Sequence, residues 1–166
     1  LAVILMVIHH FFYDLVVFLG APAWLFSNPV FNFLHYVFAG LFIFLSGVSS
    51  RFSRSNIKRG IKVLAVALVI TLVTAFMDMP IWFGVLHLLG FCMVFYGLTS
   101  KSWDKVPPVF MPVLCISLIV ISAYAVQNFD PGVSYLWIFG WTYPGFSSAD
   151  YFPLFPWIFV FLLCTW

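Results

Sequence analysis

Residues 49–76 read SSRFSRSNIKRGIKVLAVALVITLVTAF. The first half of this stretch holds five basic side chains: Arg51, Arg54, Lys58, Arg59 and Lys62. The second half carries no charge at all. A basic cluster running straight into an uncharged apolar segment is the signature of an anchored membrane span. The pattern predicts a helix over residues 60–76. Working outward, similar apolar runs predict helices over residues 1–19, 31–48, 81–98 and 106–126. A sixth begins near Asp150 and reaches Trp166. Gly20, Ala21 and Pro22 end the first. Each run is near the roughly 20 residues that a bilayer core demands.

The whole composition agrees. The chain has 166 residues, 64% of them hydrophobic and 7% charged. Its mean hydropathy is +1.13. Soluble domains carry about a quarter charged residues. A domain of this size could not hide so much apolar surface from water. The expected fold is all-α: a polytopic transmembrane bundle of about six helices, in one domain spanning residues 1–166. Leu1 is not an initiator Met and Trp166 closes an apolar run. The chain therefore reads as part of a longer membrane protein. The bilayer is its expected environment, and no nucleic-acid partner is expected.

Charge sets the orientation. Lys101 and Lys105, between the fourth and fifth helices, complete the seven basic residues. If helices alternate, the two basic links share one side. The positive-inside rule then places residues 49–62, residues 99–106 and the N-terminus in the cytoplasm. The link over residues 127–149, rich in Tyr135, Trp137, Trp141 and Tyr143, faces outward as an interfacial belt or a lid.

Polar groups at membrane depth are costly and each needs a reason. The first helix holds His9, His10 and Asp14. His10 and Asp14 are four apart, on one helical face and within mutual reach. At 1.5 Å per residue, His10 lies roughly 14 Å deep, near the midplane. A carboxylate that accepts from one ring nitrogen leaves the other basic, which suits a general base or nucleophile. The alternative is a pair that only joins helices. His35 and His87 also fall in the outer half, so an outward polar cavity is expected. Asp150 precedes Tyr151-Phe152-Pro153 and is placed to cap the sixth helix. The basic cluster anchors topology or holds the phosphates of a cytoplasmic anion. Gly40, Gly47, Gly90 and Gly97 read as packing positions. Cys92, Cys115 and Cys164 lack metal spacing and read as inert thiols. No metal is expected.

Four stretches resemble a known family. They are residues 1–15 with His9, His10 and Asp14, residues 44–49 (FLSGVS), residues 83–90 (FGVLHLLG) and residues 150–157 (DYFPLFPW). In this order they resemble a bacterial membrane family grouped with the catalytic domain of heparan-alpha-glucosaminide N-acetyltransferase. The resemblance implies a transmembrane acyltransferase of the bacterial cytoplasmic membrane. It would move an acetyl or other acyl group from cytoplasmic acyl-CoA to an extracytoplasmic sugar amine or hydroxyl. The wider class shows an Arg, ten residues and then a His. By that spacing His10 is the implied catalytic residue, with Asp14 beside it. His87, Asp150, His9 and His35 would bind the acceptor. Arg51, Arg54, Lys58 and Arg59 would hold acyl-CoA. The rivals are a proton-coupled transporter, since intramembrane His and Asp also relay protons, and a noncatalytic membrane subunit. No inverted repeat or matched pair of broken helices favours transport.

Overall fold

A computed structural model describes residues 2–22, 24 and 28–166. Six α-helices account for most of it: α1 (Ala2–Leu19), α2 (Pro29–Arg51), α3 (Asn56–Phe76), α4 (Val85–Trp103), α5 (Phe110–Asn128) and α6 (Leu154–Leu163). A 3-10 helix, Ser134–Phe139, lies between α5 and α6. No strand occurs among the described residues; the one bridge pairs Phe83 with Tyr151. The fold is therefore an all-α helix bundle. Among the described residues four helices, α2 to α5, are long and apolar enough to cross a membrane. At 1.5 Å per residue, the ten residues of α6 cover about 15 Å, half of a hydrocarbon core.

The chain forms two compact units, residues 1–45 and residues 46–166, divided within α2. In the first unit, α1 and the start of α2 meet through aromatic rings. Phe12 packs on Phe31 at 5.3 Å between centroids, and His9 on His35 at 4.5 Å.

In the second unit α4 is the central helix, packed against α3 and α6, while α6 also packs on α5. Its buried face includes Leu88, Leu89, Cys92, Met93 and Tyr96. Small residues set how closely the backbones approach. A Cβ on Gly60 would lie 2.7 Å from the Gly90 carbonyl oxygen and 2.9 Å from the Val94 nitrogen. A Cβ on Gly97 would lie 3.1 Å from the Ile57 nitrogen. Gly47 is seated against α6, where a Cβ would come within 2.6 Å of the Phe161 carbonyl oxygen. In lipid, where tails are as apolar as leucine, such close packing is a main source of helix association. The outer faces of α3 and α5 expose Leu68, Leu72, Val113 and Val120. Apolar side chains on an unpartnered helix face are what lipid contact requires.

The helix ends sort into two groups. Arg51 at the end of α2 forms a 2.6 Å ion pair with Asp104, just past α4. Its guanidinium also donates to the Tyr96 hydroxyl at 3.3 Å and sits 5.6 Å from the Trp166 ring centroid. The two basic links therefore share one end of the second unit. At the other end, α3 turns into α4 through residues 77–84. Asp78 is exposed there with a φ of 57°, a left-handed conformation that Asp tolerates in turns.

Candidate functional site

The start of α4 gathers His87, Asp150, Thr71 and Thr74. Expected near residue 81, the helix begins only at Val85. Residues 80–84 are held out of the helix by partners far along the chain. Ala149 donates to the Pro80 carbonyl at 3.2 Å, Phe152 to the Phe83 carbonyl at 2.8 Å, and Trp82 to the Ser148 hydroxyl at 3.2 Å. The Pro80 and Phe83 carbonyls used here are acceptors that a longer helix would have needed.

A helix start exposes unsatisfied N–H groups, usually met by the N-cap side chain and by a polar residue at N3. The N-cap is Gly84, which has no side chain. His87 stands at N3, and its Nδ1 accepts from the Gly84 N–H at 3.3 Å. Asp150 supplies the missing half from another segment: its Oδ2 accepts from the Val85 N–H at 3.0 Å. A Cβ on Gly84 would collide with that carboxylate. A negative charge here also meets the positive end of the helix dipole. The sequence places Asp150 as a cap for α6. Asp150 caps α4 instead, while α6 begins after Pro153 with no side-chain cap. The Val85 N–H, which has no acceptor within its own helix, lies within reach of Asp150, and the chain has already turned back along residues 80–84.

His87 is 6% exposed. Its Nε2 lies 3.1 Å from the Thr71 hydroxyl on α3, and that hydroxyl donates to the Ile81 carbonyl at 2.6 Å. Thr74 adds a second tie, accepting from the Ile81 N–H at 3.1 Å. Phe83 covers the imidazole at 5.7 Å between ring centroids, and Trp137 of the 3-10 helix packs edge-on against Phe83. Phe146 joins Trp137 to Tyr151, whose hydroxyl donates to the Trp137 carbonyl. Burial pushes the Tyr151 phenol up to about 12. The aromatic segment between α5 and α6 thus roofs the start of α4.

The first unit holds the other histidines. His9 is 5% exposed, with His35 at 4.5 Å and His10 at 5.9 Å between centroids. His10 and Asp14 are both exposed on α1. Among the described residues no hydrogen bond or ion pair joins those two. The structure therefore brings His9 to His35, and His87 to Asp150.

At the basic end, Arg59 donates to the Ser49 hydroxyl at 3.2 Å. Arg54 and Lys58 are exposed. Arg51 is committed to Asp104 and Tyr96, partners the sequence did not single out. Thr71 and Gly84 were also missed. A threonine inside an apolar helix and a glycine three residues before a histidine were the available signals. Cys92 and Cys115 are buried, Cys164 partly so, and all three are free thiols.

No curated protein and no solved structure matches the chain. One family profile, described as heparan-alpha-glucosaminide N-acetyltransferase, catalytic, matches residues 1–166. With its apolar spans and its paired basic links, the chain belongs to the heparan-alpha-glucosaminide N-acetyltransferase catalytic family.

Proposed function

We propose that the chain is the membrane-embedded acyl-transfer part of an enzyme that uses cytoplasmic acetyl-CoA, or another acyl-CoA, and acylates an extracytoplasmic sugar amine or hydroxyl. Family membership over all 166 residues is the observation that carries this reading, and it implies acetyltransferase activity. The placement of polar groups supports the finer statement. Both basic links lie at one end of the second unit, suited to an anionic cosubstrate, and His87 with Asp150 lies at the other. The bacterial cytoplasmic membrane is the proposed location.

In this reading Arg54, Lys58 and Arg59 hold the phosphates of acyl-CoA. Arg51 joins them while remaining tied to Asp104. His10 is the catalytic base and Asp14 orients it. His10 takes a proton from the acceptor as its nitrogen or oxygen attacks the thioester carbonyl. The carbon–sulfur bond then breaks, and the thiolate leaves and is protonated. Catalytic pairs are often open in the free enzyme and tighten once substrate binds. His87, Asp150, His9 and His35 serve acceptor binding on the outward side.

The test uses purified full-length protein in detergent, labelled acetyl-CoA and glucosamine as acceptor probe. His10→Ala should lower turnover by roughly 10²–10⁴-fold, the usual worth of a general base. Turnover at the wild-type rate would remove His10 from the chemistry. Asp14→Asn should also slow the reaction strongly, by freeing the ring orientation.

A further inference from the structure

We infer that Thr71 is a positioning residue that holds His87 in a single tautomer, with the proton on Nε2. Proton counting carries the inference. The Thr71 hydroxyl has one hydrogen, and it goes to the Ile81 carbonyl at 2.6 Å. Toward His87, Thr71 therefore offers only a lone pair, so Nε2 must donate across the 3.1 Å contact. The other ring nitrogen gives the same answer independently. Nδ1 accepts from the Gly84 N–H, so it carries no proton, and a neutral imidazole must then carry its proton on Nε2.

The ring is thus gripped from both sides by groups whose own hydrogens are fixed. Gly84 is held at the start of α4, beside the Asp150 carboxylate. Ile81 is held by Thr71 and Thr74 together. Thr71 lies on α3 and His87 on α4, so the tautomer depends on the register of two helices that meet at Gly60 and Gly90.

The consequence rests on the reading above that His87 serves acceptor binding. A sugar oxygen reaching this ring meets a donor at Nε2. That oxygen shares the Nε2 donor with the Thr71 hydroxyl, which keeps the ring turned to present it. Without the threonine hydroxyl only the Gly84 N–H, at 3.3 Å, still holds the ring, which can then turn away from Thr71 or exchange tautomers. Acceptor binding then weakens, while acetyl-CoA binding at the opposite end does not change.

The experiment is nitrogen NMR of full-length protein in nanodiscs, with ¹⁵N-labelled histidine and the His87 signals assigned by their loss in His87→Gln. The wild type should show one neutral form with a pyrrole-type Nε2 and a pyridine-type Nδ1. Thr71→Val should shift or split these signals, and Thr71→Ser, which keeps the hydroxyl, should restore them. In parallel, Thr71→Val should raise KM for glucosamine about five- to tenfold, the worth of one hydrogen bond, with KM for acetyl-CoA unchanged. A wild-type spectrum with the proton on Nδ1, or an unchanged spectrum in Thr71→Val, overturns the inference. A shifted spectrum with an unchanged KM for glucosamine supports the tautomer lock and overturns the reading of His87 as an acceptor ligand.

Discussion

Replacing Asp150 with alanine should weaken the second unit by about 2 kcal/mol. Two losses combine. The Val85 N–H gives up its acceptor at 3.0 Å, and loss of an N-cap acceptor typically costs about 1 kcal/mol. The helix start also loses a negative charge, worth up to about 2 kcal/mol in a partly buried site. The two overlap, because one carboxylate supplies both. Asp150→Asn keeps an oxygen but no charge and should cost about half as much. Gly84→Ala attacks the same contact from the other side, since its Cβ would collide with the carboxylate and lie 2.9 Å from Ile81 Cγ2. Side chains in direct contact are not additive. Gly84→Ala should therefore cost less in the Asp150→Ala background than in the wild type. The assay is reversible unfolding in mixed micelles, followed by tryptophan fluorescence as the denaturing detergent fraction rises. Wild-type stability in Asp150→Ala, or strict additivity of the two substitutions, would refute the cross-chain cap.

Other expectations follow from the same geometry. Gly60→Ala pushes a methyl to 2.7 Å from both the Gly90 oxygen and Val94 Cγ2, and should cost about 1–3 kcal/mol in the same unfolding assay. The Arg51–Asp104 pair is 42% and 51% exposed, so Asp104→Asn should cost at most about 1 kcal/mol, and the difference should vanish in concentrated salt. The Tyr151 phenol is raised from 10 to about 12, so alkali should loosen the roof over α4. Below pH 10 both folded and unfolded chains keep the proton and the contribution is whole. Between pH 10 and about 12 only the unfolded chain ionises, so stability falls as pH rises. Tyr151→Phe should remove this dependence, read from phenolate absorbance alongside unfolding.

The helices were legible because an apolar run of span length bounded by charge has few other solutions in lipid. Their start points were less so. The non-helical course of residues 80–84 depends on Ala149 and Phe152, some 70 residues away, and nothing local to Ile81 announces them. Asp150 shows the same limit. Its spacing to Pro153 fits a cap on α6, but the helix start that needs a carboxylate belongs to Gly84, which has no side chain of its own. Gly90 and Gly97 could be read as packing positions from their spacing. Gly60 could not, because its role is defined by Gly90 on another helix. The histidines of α1 divide by face: His9 turns to His35 and is buried, whereas His10, one position on, is exposed. Periodicity pairs His10 with Asp14, but which face of α1 is covered depends on the helices around it.

Vectorial transfer can be tested directly with the full-length protein in sealed vesicles, with glucosamine trapped inside and labelled acetyl-CoA added outside. Molecules whose basic end faces outward should accumulate labelled N-acetylglucosamine in the lumen while CoA appears outside. Glucosamine movement without acetylation, or acetylation only when both reagents share one side, would contradict transfer across the bilayer.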